Sequence, residues 1–157
     1  MSSAKGKKLM INEKDFAEIV QAKSYLKEIE KADKIIKNKV TELKQLRELS
    51  TSITVNSNSD VVQTSCDADK IGSIVGQIID KENDLKLILD EYISKRQERI
   101  AVIEELRDTV EYDIIHKRYV QMKSLDEIAI ELGYSYVWIC KKHNSALLNI
   151  QKIRKKK

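Results

Sequence analysis

The stretch Val137–Ser145, VWICKKHNS, places a large aromatic, two cations and an amide close together in a segment free of acidic residues. At about 100° per residue on a helix, Val137, Trp138, Lys141, Asn144 and Ser145 face away from the apolar stripe Tyr136, Ile139, His143, Ala146, Leu147 and Ile150, or lie along its flanks. Lys141, with Lys142 beside it, supplies an ammonium for guanine acceptors or phosphate, and Asn144 supplies an amide suited to adenine. Trp138 can cover a thymine methyl or stack on sugar. Trp138 has a second reading, in which it packs against the first C-terminal helix. The chemistry on offer is readout of base edges in duplex DNA by a helix lying in the major groove.

Catalytic chemistry has little support. His143 falls on the apolar stripe and reads as a packed, hydrogen-bonded histidine, and His116 has no Asp or Cys spaced for a triad or a metal site. Cys66 and Cys140 read as free thiols in a reducing compartment, with Cys140 a small apolar residue at the side of its helix. There is no Gly-rich phosphate loop, no clustered ligand set and no carboxylate pair set apart from ordinary helix surface. The expectation is a binding protein, not an enzyme, with no metal and no cofactor.

The segment before these residues is built to hold them. In KSLDEIAIELGYS, Ser124 is placed to cap a helix over 125–132, with Glu127 reaching back to it. Gly133 follows, where a left-handed residue permits a tight turn. Ser135 is placed to cap a further helix running to about Ile153. Two helices joined by a three- to four-residue turn need a small residue where they approach, and Ala129 stands four residues before Gly133. Ile128, Leu132 and Ile139 fill the shared core. Ser124, Ala129, Gly133, Ser135 and Ile139 together give the register of a helix-turn-helix. Upstream, Asp108 with Glu111 predicts a capped helix from Thr109 to about Gln121, with Val110, Ile114 and Tyr119 facing a small core.

Charge supports the same end of the chain. The whole excess of +4 lies in residues 108–157, which hold ten Lys and Arg against six Asp and Glu. Such asymmetry is the footprint of a polyanion-binding face. The alternative is a solvated basic tail, since Arg154, Lys155, Lys156 and Lys157 contribute four of the ten.

The remaining sequence reads as long helix. Pro is absent and Gly occurs four times in 157 residues, so the main helix breakers are scarce. After a flexible basic tail over 1–11, Asn12 is placed to cap a helix and Ile11 to staple against Phe16. The apolar stripe is Phe16, Ile19, Ala22, Tyr25, Ile29, Ala32, Ile36, Leu43 and Leu46, with Val40 nearby, and the helix is expected to end near Ser50. The Ser/Thr/Asn-rich stretch 51–68 predicts a polar loop. A second helix follows from Asp69 to about Leu106 on Ile71, Val75, Ile78, Leu85, Leu89, Tyr92, Ile103 and Leu106, interrupted by Glu82, Arg96 and Arg99. Two matched helices of roughly 38 residues, about 57 Å each, suggest an antiparallel hairpin. The expected organisation is all-α: a hairpin over 12–107, then a DNA-binding domain over 108–157. Two helices cannot enclose their own apolar surface, so a homo-oligomer through the long helices, most simply a dimer, or contact with another protein is expected; the alternative is that the hairpin folds back onto the C-terminal domain. No apolar run is long enough to span a membrane, and no secretion signal follows the first residues; a cytoplasmic location is expected.

The segment KRYVQMKSLDEIAIELGYSYVWICKKHNSALLNI resembles region four of bacterial sigma factors. More closely, it is similar to the sigma-region-four-like regulators of phages and prophages in Gram-positive bacteria, the ArpU and RinA type, and the likeness extends upstream to DADKIGSIVGQIIDKENDL. The resemblance implies double-stranded DNA as partner, with Tyr136, Val137, Trp138, Lys141 and Asn144 in the major groove. It also implies activation of late phage genes and contact with RNA polymerase. Val137 and Ser145 stand where related proteins often carry Arg, which implies fewer contacts to phosphate and base. Two other readings fit the same residues. One is a DNA-packaging protein of the small-terminase kind, against which the C-terminal position of the helix-turn-helix argues. The other is a helical scaffold whose last helices bind protein.

Overall fold

The computed structural model describes residues 12–57 and 65–156, and every element among them is a helix. These are α1 (Glu13–Ser57), α2 (Ser65–Glu104), α3 (Val110–Tyr119), α4 (Leu125–Leu132) and α5 (Tyr136–Lys156). The expected tail over 1–11 with Ile11, the middle of the expected loop, the Cys66 side chain and Lys157 lie outside the described residues. No described helix is long and apolar enough to cross a membrane.

Both long helices exceed their expected ends, by seven residues at Ser57 and four at Ser65. The reason is visible on α1. Thr51, Ser52 and Thr54 donate their hydroxyls to the carbonyls of Arg47, Glu48 and Ser50, four residues back, at 2.9 Å each. Bonded in this way, the hydroxyls do not divert the helical backbone.

The chain divides into two compact units: Met1–Glu30 with Glu98–Lys157, and Lys31–Gln97. The boundary expected at 107/108 falls inside the first of these units. Ile19, Ala22, Leu26 and Ile29 of α1, Val102 and Ile103 of α2 and Leu106 form one buried cluster with Ile115 and Tyr119 of α3 and Ala146, Leu147 and Ile150 of α5. The apolar stripe of α5 is therefore completed by the first turns of α1. Leu26 is fully buried, whereas its neighbour Tyr25, which the stripe had favoured, is half-buried. Phe16 is 61% exposed and takes no part.

In the unit Lys31–Gln97, Ile71, Val75, Ile78, Glu82, Leu85, Leu89, Tyr92 and Arg96 of α2 are half-buried or buried, with Gly76 and Ile88 half-buried beside them. The former recur at alternating steps of four and three, the period of a coiled-coil seam. The polar members that break its apolar pattern are answered from α1: Arg96 pairs with Asp33, and Glu82 lies 3.5 Å from Arg47. The partners run in opposite orders along the two helices, fourteen residues apart on each.

The link into α3 also departs from expectation. Asp108 adopts φ 68°, in the left-handed region, which suits Asp better than most side chains. Thr109, not Asp108, caps α3, its Oγ1 accepting from Tyr112 N at 3.2 Å while donating to the Leu106 carbonyl at 2.6 Å. Val110 is exposed, and Ile114 and Ile115 are buried in its place.

Candidate nucleic-acid interface

Local chemistry fixes how α4 meets α5. Ser124 Oγ accepts from Glu127 N at 3.2 Å and Glu127 Oε2 accepts from Ser124 N at 2.7 Å, closing the expected capping box. Hydrogen bonds at this cap hold the Glu127 carboxyl below its ordinary range. Gly133 sits at φ 71°, and its N–H bonds back to the Ala129 and Ile130 carbonyls. Nothing lies within 4 Å of a Cβ built there, so the demand for glycine is one of backbone conformation, a strain of about 1–3 kcal/mol for a bulky residue. Ser135 Oγ then accepts from Trp138 N at 3.3 Å at the start of α5. Ile128, Ala129 and Ile139 join Ile114 in a second buried cluster, with Leu125, Leu132 and Trp138 against it.

That packing sorts the candidate contact residues. Val137, 62% exposed, and Lys141 lie on the open face of α5, and Lys141 has no ion-pair partner among the described residues. Asn144 is half-buried at the edge of the same face. Tyr136 is 49% exposed; placed on the inward stripe by its periodicity, it lies at the first turn, before α5 enters the core, and the neighbouring Cys140 pushes its pKa up. Trp138 packs on the second cluster and stacks on Tyr134 with ring centroids 4.0 Å apart, and Lys142 lies 5.7 Å over its ring. These contacts remove much of the free surface that Trp138 and Lys142 were expected to offer. Ser145 is also engaged: it donates to Glu111 Oε1 at 2.7 Å, while Asn149 donates to Oε2 at 2.7 Å. Glu111, read in the sequence as a partner of Asp108, thus ties α3 to α5.

The basic segment is helix to Lys156, with Lys155 and Lys156 exposed on it. The Arg154 guanidinium lies 3.9 Å over the Tyr25 ring, Lys155 pairs with Glu18 at 2.6 Å, and Gln151 donates to Gln21 at 2.8 Å. Leu148, partly buried, packs against the larger cluster.

Behind the open face, His143 is 4% exposed. Burial, with Lys23 and Arg118 nearby, pushes its pKa down to about 4. The ring is therefore neutral at pH 7 and hydrogen-bonds to the Tyr119 hydroxyl through Nε2 at 3.1 Å, the tautomer setting which group donates. Burial pushes Tyr119 up to about 12. Its geometry is that of a packed core pair, as its place on the apolar stripe suggested. Among the described residues, no group of three or more His, Cys, Asp or Glu is arranged to hold a metal.

Compared with family models, curated proteins and solved structures, the chain matches none.

Proposed function

We propose that the chain is a sequence-specific DNA-binding regulator of transcription, of the kind that activates late genes in a phage or prophage. In this reading α4 and α5 form a helix-turn-helix, and the N-terminal half of α5 enters the major groove. The observation that carries it is the open face of α5. The capped α4, Gly133 and the buried stripe hold Val137, Lys141, Asn144 and Tyr136 outward on a rigid helix, and Lys141 is free of any counter-ion among the described residues. Val137 and the Tyr136 ring offer apolar contact to a thymine methyl, and Lys141 and Asn144 offer donors and an amide. RNA polymerase is a further partner in this reading, resting on the sigma-like segment alone.

Lys141→Ala tests it. The variant is expected to melt like the wild type, because Lys141 touches no core residue, and to bind DNA more weakly. Contact with a base edge gives a loss of about 1–3 kcal/mol on the preferred duplex and less on unrelated DNA. Contact with phosphate gives an equal loss on all sequences and a salt slope smaller by about one. Wild-type affinity on every duplex rules α5 out of the groove.

The same reading makes α1 and α2 an antiparallel hairpin that brings two copies together. Val40, Leu49 and Val55 of α1 and Ile79, Leu87 and Ile93 of α2 are exposed large apolar residues, and a second copy would cover some of them. Dimers commonly meet two half-sites about one helical turn apart. Sedimentation is expected to give a dimer at tens of micromolar; a strict monomer there removes this part of the reading.

One observation favours a second reading, a protein-binding role for the same end. Ile130, 81% exposed, with Tyr134, Tyr136 and Val137 puts four apolar or aromatic side chains near the α4–α5 turn. Binding of duplex DNA that weakens steeply with salt favours the first reading.

A further inference from the structure

Resting on the reading of α4 and α5 as a DNA-binding pair, we propose that Glu131 sets the affinity and salt dependence of that site: it is an internal counter-ion that competes with DNA phosphate for Lys117 and Lys123. One carboxylate holds both ammonium groups. Lys117 Nζ, from α3, lies 2.8 Å from Oε2, and Lys123 Nζ, from the α3–α4 loop, bonds to Oε1. The two lysines in turn hold the Glu131 carboxyl below its ordinary range.

The loop that carries Lys123 is itself pinned. Arg118 Nη1 donates to the Lys123 carbonyl at 2.9 Å, Lys123 N donates to the Lys117 carbonyl at 3.0 Å, and Met122 turns the chain at φ 59°. Lys123 is therefore fixed beside Ser124, the cap of α4. In a helix-turn-helix the first helix crosses the DNA backbone while the second enters the groove. Cations at the start of α4 thus stand where phosphates run.

The network is open to an incoming anion. The side chains of Lys117, Lys123 and Glu131 are 23%, 31% and 36% exposed. Packing does not depend on it either. Ile128, Ala129 and Leu132 hold α4 in the second cluster, and ion pairs this exposed add little stability.

The consequence is a directed loss of affinity. A phosphate reaching this end of the site must first displace a carboxylate that already satisfies both lysines. That cost falls on every duplex alike, since it involves no base. Binding then depends more on the α5 face, where Lys141 carries no such competitor.

The test uses the full chain and two synthetic duplexes, one selected by the protein from a random pool and one of unrelated mixed sequence. Glu131→Gln is expected to bind both more tightly, by about three- to tenfold near 0.1 M salt, with a log–log salt slope steeper by about one to two. Its preference between the duplexes is expected to stay at the wild-type value, because the cost removed is common to both. Adding Lys117→Ala and Lys123→Ala to that variant is expected to return the slope to the wild-type value. A Glu131→Gln protein that binds with the wild-type slope, or more weakly with a lowered melting temperature, overturns the proposal and leaves Glu131 a structural brace. Wild-type protein without salt-dependent duplex binding overturns the DNA reading beneath it, which is a separate outcome.

Discussion

Leu26→Ala, a change in the first long helix, is expected to destabilise the C-terminal helices by about 2–5 kcal/mol. Leu26 is fully buried in the cluster that includes Leu147, Ala146 and Ile150 of α5 and Ile115 and Tyr119 of α3. Truncating it opens a cavity on the surface against which α5 rests. The chain's one tryptophan, Trp138, lies on α5 and reports on that helix directly. Denaturant unfolding followed by Trp138 fluorescence is expected to shift to lower denaturant along with the helical signal. By the same argument, residues 108–157 expressed alone lack the α1 and α2 side of this cluster and are expected to lose a cooperative transition. A Trp138 transition unmoved by Leu26→Ala means that the C-terminal helices stand as a domain of their own.

The second large effect is a loss of stability in mild acid. His143 ordinarily takes a proton near pH 6.5, whereas in the folded chain it does so only near pH 4. Between these values the unfolded chain binds a proton that the native chain refuses. Stability therefore falls as pH drops from 6.5 to 4, and the loss is complete below the folded value. The gap corresponds to about 3 kcal/mol. The carboxylates of Glu18, Glu127 and Glu131, whose pKa values are lowered from 4.5, also favour the native state less in acid, but below that value. The interval from 6.5 to 4.5 thus isolates the histidine. Urea unfolding at half-unit steps in the wild type and in His143→Gln measures it; glutamine keeps a hydrogen-bonding partner for the Tyr119 hydroxyl and does not titrate. The wild type is expected to lose stability across the interval and the variant to be nearly flat. Equal slopes in the two proteins assign the effect elsewhere.

The sequence was most informative where structure is set by near neighbours. The Ser124–Glu127 box, the left-handed Gly133, the limits of α4 and most of the α5 stripe depend on residues within a turn or two of each other, and all were legible. What lay beyond reach was the identity of partners. Periodicity marks Ala146, Leu147 and Ile150 as one face but does not say that α1 covers it. Nor does it choose Leu26 over Tyr25, because both lie close to the stripe and only the approach of α5 decides between them. Ser145 shows the same limit at the candidate site. Its helical position pointed outward, yet Glu111, thirty-four residues earlier, takes its hydroxyl. Asp108 was read as the cap of α3, and the shift to Thr109 goes with a left-handed φ at Asp108 that no short motif announces.

The two ion pairs between α1 and α2 bear on how the chain finds its structure. A seam of aliphatic residues alone is nearly degenerate: slide one helix past the other by seven residues and leucine again meets isoleucine. Here the slide that brings Asp33 level with Leu89 also brings Glu82 level with Val40, so each lost pair strands a carboxylate against an aliphatic side chain. Competing alignments are raised in energy while the native one is left almost unchanged, which widens the gap between one deep minimum and its rivals. The charges in this seam make wrong alignments of the long helices short-lived, an effect on the folding landscape that is separate from the small stability the pairs contribute once it is reached.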